Sequence, residues 1–284
     1  MTPLALILRT AGTNCDRELA HAFELAGAAT EAVHLSTLVD DPARLERYDL
    51  IGFPGGFSYG DDIAAGRILA NRLRHRLAGP LQQCLARGVP MIGVCNGFQA
   101  IVKLGLLPFP DDMTAARQSA TLADNNCGRF IDRWVGMHAE ESSVCVWTKG
   151  LGDFDLPIAH GEGRFVPATA EVLQTLRERG QVALRYRAFA GDEGAGAANP
   201  NGSVDDIAGV CDPSGLVLGL MPHPERHTHL THHPHWTRRP RAERDAEPAG
   251  LRFFRNAVEH VQAQRAATST PLPLGEGGGV LAAG

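Results

Sequence analysis

The sequence predicts an α/β protein built on an open, mostly parallel sheet with helices on both faces and an antiparallel insertion. Three observations point there. The first hundred residues alternate short apolar runs with helical patterns, as strands buried under helices do. From about residue 128 to 190 the runs shorten into strands of antiparallel type. A chain of 284 residues, 44% hydrophobic and with 32 glycines, is long and apolar enough to bury a closely packed core.

Taken in order, Leu4 to Leu8 reads as a buried first strand. Thr13-Asn14-Cys15-Asp16 then supplies a helix start, because a Thr or Asn cap and an acid in the first turn satisfy free backbone N–H groups. Leu19, Ala22, Phe23 and Ala26 follow at helical spacing, and Gly27 suits a left-handed stop. Thr30 to Leu35 reads as a second strand and Leu50 to Phe53 as a third. Residues 63–88 carry two helical patterns interrupted at Gly79-Pro80. Met91 to Val94 is a fourth strand, and Phe98 to Leu104 the helix it feeds, ended by Gly105 and Pro108. A helix is expected near Glu171 to Arg179, and the sheet resumes with Ile207 to Cys211 and Leu216 to Met221. Residues 227–248, rich in His, Arg, Pro and Glu, read as a solvated surface insertion before a last helix at 249–265. Residues 266–284 read as a disordered tail, leaving 1–265 as a single domain.

Composition removes several function classes. A net charge of -5 with no early Lys/Arg run leaves no footprint for nucleic acid. The apolar run before Arg9 is too short for a signal-peptide core or a membrane span. The six cysteines include no Cys-x-x-Cys pair, so neither a zinc site nor a disulfide framework is expected, and a reduced cytoplasm fits. No cofactor motif stands out. His227, His229, His232, His233 and His235 invite a metal reading, but a loose His-rich loop lacks defined ligand geometry, and no metal is expected there.

Gly93-Val94-Cys95-Asn96-Gly97 places a cysteine between a strand and a helix, with a glycine two residues away on each side. This is a nucleophile elbow with Cys in place of Ser: the sharp turn exposes the side chain, and the glycines allow close approach of neighbouring segments. The positive end of the following helix favours the thiolate, and the Asn96 N–H would face an oxyanion formed by its attack. Cys15, Cys84, Cys127, Cys145 and Cys211 have no such setting and read as ordinary structural cysteines.

A cysteine nucleophile needs a base and a group to orient it. Met221-Pro222-His223-Pro224-Glu225-Arg226 ends the apolar run from Leu216. Pro224 biases His223 toward extended backbone, and side chains two apart on extended chain point the same way, so Glu225 can hold the His223 imidazole. In a doubly wound sheet this segment and Cys95 would meet at the carboxyl ends of the strands. The loop from Phe53 to Asp62, with Gly55, Gly56 and Gly60, could present N–H groups to an oxyanion; it matches neither a Walker nor a dinucleotide fingerprint.

Together these segments resemble the class I (triad) glutamine amidotransferases, and most closely the PurQ family, the glutaminase subunits of phosphoribosylformylglycinamidine synthase. The resemblance is carried by Gly12-Thr13-Asn14-Cys15-Asp16, by Pro54 to Asp61, by Gly93 to Gln99, by Ala159 to Phe165, by Asn201-Gly202-Ser203 with Asp206 to Gly209, and by Met221 to Arg226. It implies that Cys95 attacks the side-chain amide of L-glutamine, that His223 protonates the departing ammonia and then activates water, and that Glu225 orients His223. It also implies an oxyanion site at Gly55, Gly56 and Asn96, with Gln99, Gly163 and Phe165 contacting the substrate. The partners it implies are an ATP-using synthetase subunit of the PurL type and a small subunit of the PurS type. Two rival readings share less of the pattern. A PfpI-like cysteine hydrolase would not be expected to carry the Pro-His-Pro-Glu segment, and a silent regulatory domain has no need of all three catalytic groups.

Overall fold

The computed structural model describes residues 2–115, 117–188, 198–241 and 246–269. Nine strands form one sheet in the order β2-β1-β3-β4-β11-β10-β9-β6-β7. Its parallel half is β2 (Ala29–His34), β1 (Leu4–Arg9), β3 (Leu50–Phe53), β4 (Met91–Val94) and β11 (Val217–Leu220). The antiparallel strands β10 (Ile207–Cys211), β9 (Val182–Arg187), β6 (Ile131–Ala139) and β7 (Asp153–His160) are no separate layer; they extend the same sheet beyond β11. A short pair, β5 (Ala120–Ala123) with β8 (Arg164–Pro167), stands apart.

The β3, β4 and β11 strands, buried at every position, show why the sequence carries unbroken apolar runs there rather than alternation: both faces are covered. A side chain on Gly52 would meet Leu19 and Phe23 of α1 (Asp16–Leu25). On the other face, one on Gly93 would meet Ile101 of α4 (Asn96–Leu104). Phe23 also packs edge-on against Phe254 at 5.0 Å, which docks the last helix beside α1.

Four expectations need correction. No side chain caps α1; its N-cap residue is Cys15, and neither Thr13 nor Asn14 serves. Residues 67–86 form one helix, α3 (Arg67–Ala86), which runs through Pro80. Leu69, Leu73, Leu77, Leu81 and Cys84 stay in phase across the proline, and burial of that stripe outweighs a penalty of roughly 3 kcal/mol for an interior proline. Residues 227–248 are not uniformly solvated: His227 and His233 are buried against Trp134 at 5.1 and 4.8 Å. The last helix spans Ala249–Ser269, past the expected end, while residues 270–284 of the expected tail lie outside the described residues. Among elements the sequence did not announce are α2 (Leu35–Asp40), α5 (Asp112–Ala115) and β5; with the helix Ala170–Glu178 as α6, the last helix is α7. No helix among the described residues is long and apolar enough to cross a membrane.

Candidate active site

Cys95 sits where β4 turns into α4, with φ 52° and ψ -108°, a left-handed conformation that non-glycine residues rarely adopt. Strain of this kind, of order 1–3 kcal/mol, persists only where the surroundings fix it. Here the Cys95 N–H donates to the Leu220 carbonyl at 2.8 Å. Gly97 must be glycine, since a Cβ there would lie 1.9 Å from the Phe53 carbonyl oxygen. The Cys95 thiol points to the end of β7, where the Ala159 carbonyl accepts from it at 3.5 Å.

Parallel pairing of β4 and β11 puts Leu220 opposite Val94, so the chain leaving β11 passes beside Cys95. The His223 N–H then donates to the Pro157 carbonyl of β7 at 2.9 Å, and this fixes the backbone that carries the imidazole. Nδ1–H of His223 donates to Oε1 of Glu225 at 2.6 Å, with both side chains buried. Burial opposes a charged imidazole, but the Glu225 carboxylate and the flanking Cys95 and Cys15 thiols outweigh it and hold His223 well above the ordinary histidine value. Nε2 of His223 is buried and makes no hydrogen bond of acceptable geometry, which leaves it as the free end of the pair.

The glycine loop lies against this pair. A Cβ on Gly55 would come within 3.0 Å of His223 Cε1, 3.1 Å of Cys15 Sγ and 3.5 Å of Cys95 Cβ. The loop is zipped to the one after β1: the Gly55 carbonyl accepts from the Asn14 and Cys15 N–H groups at 3.4 and 3.3 Å, and Phe57 N–H donates to Gly12 at 2.9 Å. Asn96 ties it to the elbow. Its Oδ1 accepts from Ser58 N–H, and its Nδ2 donates to Asp61 Oδ1 and Gln99 Oε1, all at 3.0 Å.

A cavity of about 540 Å³ opens over Cys95, lined among others by Gly56, Gln99, Arg129, His160 and Glu162. Cys95 faces this space, whereas His223 and Glu225 are not among its lining residues and Gly55 stands beside the imidazole. Gln99 lines it but has both ends of its amide engaged, Oε1 with Asn96 and Nε2 with the Glu162 carbonyl at 2.5 Å. Phe165 and Gly163 do not line it. Phe165 is buried and stacked on Phe98, and Gly163 leaves room for the His160 ring, which a Cβ would approach to 2.2 Å. Burial and the nearby charge of His223 push His160 down to about 3, so it stands neutral at the cavity wall.

Sequence reasoning missed Cys15, Arg226 and His160. Cys15 is buried beside the His223 imidazole rather than in ordinary core, and Arg226 Nη2 donates to its sulfur at 3.1 Å. Cys15 and Arg226 both lie inside the segments that carried the resemblance, but only the meeting of the β1 and β3 loops reveals where they go. The five histidines of residues 227–235 do not gather as one ligand set. His227 Nδ1 faces the Asp155 carbonyl at 3.1 Å, His233 Nε2 lies 3.4 Å from the Asp155 carboxylate, and His229 bonds within its own turn.

Comparison with known proteins shows the family of the chain. Residues 2–261 match the family model of the CobB/CobQ-like glutamine amidotransferase domain. The chain is 44% identical over 255 residues to the phosphoribosylformylglycinamidine synthase subunit PurQ of Dehalococcoides mccartyi, covering 89% of this chain and 96% of that one. It is 39% identical over 269 residues to the subunit of the same name from Methanococcus maripaludis, covering 92% and 98%. Among solved structures it superposes on a chain of PurLQS from Thermotoga maritima with a TM-score of 0.69 at 31% identity, covering 92% of this chain and all of that one.

Proposed function

Since the chain belongs to the PurQ family of glutamine amidotransferases, we propose that it serves as the glutaminase subunit of phosphoribosylformylglycinamidine synthase in purine biosynthesis, with Cys95, His223 and Glu225 as its catalytic triad. The observation that carries the assignment of residues is the strained Cys95 elbow beside a buried His223–Glu225 pair, at the carboxyl ends of adjacent parallel strands.

The chemistry follows from those positions. Cys95 Sγ attacks the side-chain carbonyl carbon of glutamine from the cavity, with the proton of the pair held on His223. The tetrahedral oxyanion is held by backbone N–H groups of Gly55, Gly56 and Asn96, preorganised by the Asn96 network. His223 then gives its proton to the amide nitrogen as the C–N bond breaks, releasing ammonia and leaving a glutamyl thioester. Water, deprotonated by His223, hydrolyses the thioester to glutamate and frees the thiol. Glu225 keeps the imidazole in the tautomer that presents Nε2. Gln99 acts through the wall it braces, and Gly163 and Phe165 act through His160 and the packing behind it rather than by contact.

Ammonia passes to a synthetase subunit of the PurL type, which uses ATP to join it to formylglycinamide ribonucleotide; a small PurS-type subunit completes the assembly. The match to a chain of PurLQS supports these partners. We take residues 1–265 as one domain, with residues 227–248 as an insertion on it, and the cytoplasm as its compartment. The test is the assembled complex with Cys95→Ala. Loss of glutamine-dependent synthesis with ammonium-dependent synthesis retained supports the reading. Retention of both overturns Cys95 as nucleophile.

A further inference from the structure

His160 stands in the cavity wall near the nucleophile, yet takes no part in the reaction above. It ends β7, one residue after Ala159, whose carbonyl accepts from the Cys95 thiol at 3.5 Å. The residue is buried and lines the same cavity as Cys95. Asn125 fixes the state of its ring. Asn125 Nδ2 donates to the Arg129 and His160 carbonyls at 2.9 and 2.8 Å, so this end of the amide must be the NH2 group. The other end, Oδ1, accepts from Gly163 N–H at 3.2 Å and faces His160 Nδ1 at 3.0 Å. An amide oxygen can only accept, so Nδ1 carries the hydrogen and Nε2 of the neutral ring is a bare acceptor. That Nε2 is buried and has no hydrogen-bond partner among the described residues. Burial, and after it the charge of His223, keeps the ring neutral.

We propose that His160 Nε2 accepts a hydrogen bond from the side-chain amide N–H of glutamine, and so makes the site select an amide over an ester. This rests on the function assigned above. When Cys95 Sγ bonds to the carbonyl carbon, the oxygen goes to the side of Gly55, Gly56 and Asn96, and the nitrogen turns away from it. The lone pair of that nitrogen must stay open for the proton of His223 as the C–N bond breaks. Its hydrogens therefore need acceptors elsewhere, and the imidazolium of His223 cannot be one. Asp61 and Glu162 also line the cavity, but their carboxylates suit the α-ammonium group of the substrate better than a neutral amide. A neutral imidazole held by Asn125 accepts the N–H without competing for the proton that ammonia needs. A buried acceptor of this kind discriminates in one direction: an amide N–H satisfies it, and an ester oxygen leaves it empty.

The complex with its synthetase and small subunits is assayed for hydrolysis of glutamine and of the γ-methyl ester of glutamate, which keeps the carbonyl and lacks the N–H. His160→Asn retains an amide nitrogen to donate to Asn125 where Nδ1 stands, and deletes the acceptor at Nε2. Its kcat/KM for glutamine should fall ~10-fold or more beyond any fall for the ester. A wall that is merely loosened would slow both substrates equally, and an unmoved ratio overturns the proposal. If His160→Asn does not fold, ¹⁵N NMR of the full chain carrying Cys95→Ala reads the ring directly. Nε2 should be the unprotonated nitrogen in the free chain, and its resonance should move to a hydrogen-bonded position with glutamine but not with the ester. A proton on Nε2, a resonance that glutamine leaves in place, or an equal shift with both ligands each overturns the proposal. A wild-type complex that hydrolyses neither substrate counts instead against the assigned function, on which the role of His160 depends.

Discussion

Nδ1 of His223 lies 2.6 Å from Oε1 of Glu225 with both side chains out of solvent, so this carboxylate directs the imidazole and leads the groups that favour its charge. Glu225→Gln keeps the shape and removes the charge. Glutamine-dependent synthesis should fall by ~10²–10⁴ in kcat, as when a triad acid is neutralised, with ammonium-dependent synthesis unchanged. Parallel assays with the two nitrogen donors check this. A fall below tenfold would mean that Glu225 is not the orienting acid.

The same pair affects stability. His223 binds its proton more tightly folded than unfolded, so the unfolded chain releases it first as pH rises. The stabilisation is fully present below the unfolded value of about 6.5 and is lost as pH climbs through the higher folded value. The unfolding free energy of wild type minus that of Glu225→Gln should therefore be largest near pH 6 and shrink toward alkaline pH. Denaturant titrations across that range measure it; a difference that grows with pH would contradict the assignment.

Acid should act through a different pair. Burial, more than any other cause, pushes His227 and His233 down to about 4, so both are neutral when folded. Between about pH 6.5 and 4 the unfolded chain takes up protons that the folded one refuses, and stability falls with pH. His227→Gln with His233→Gln should flatten this fall, though at a lower stability near pH 7 through lost packing on Trp134. Thermal unfolding at pH 7 and pH 5 compares the slopes.

How much of this was legible in the sequence depended on the range of the cause. Leu50–Phe53, Met91–Val94 and Ile207–Cys211 match the expected strands residue for residue, because polar or breaking neighbours bound each apolar run locally. The Cys95 turn and the pairing of His223 with Glu225 were legible for a related reason: elbow glycines and flanking prolines dictate local backbone. Pro80 misled, since what carries α3 through it is a buried leucine stripe that local propensity cannot weigh. Cys15 was invisible because its place depends on two loops, after β1 and after β3, meeting at the Gly55 carbonyl. Phe165 was read as a pocket residue from its motif, yet alternation along β8 turns it inward onto Phe98.

Asn96 is the clamp between elbow and glycine loop, with contacts at 3.0 Å to Ser58 N–H, Asp61 and Gln99. Asn96→Ala leaves buried partners unsatisfied at about 1–3 kcal/mol for the group. Because those contacts hold the proposed oxyanion donors, the loss should appear mainly in kcat rather than in KM for glutamine, by ~10²-fold. Steady-state kinetics separates the two. A change confined to KM would place Asn96 in substrate binding instead.

Gly97 tests whether the elbow needs its glycine for closeness rather than for flexibility. Its φ is not among the positive ones, so alanine meets no backbone objection there. The obstacle is the neighbour: a Cβ would sit 1.9 Å from the Phe53 carbonyl oxygen and 2.6 Å from its carbon, both backbone atoms of a buried strand that cannot swing aside. Relief requires α4 to move off β3, carrying Cys95 with it. Gly97→Ala should therefore cost ~3 kcal/mol or more and abolish glutamine hydrolysis even in whatever fraction folds. Circular dichroism melts and the two-donor assay on the soluble fraction measure these separately. A variant that folds with wild-type stability would show that β3 and α4 do not pack this closely.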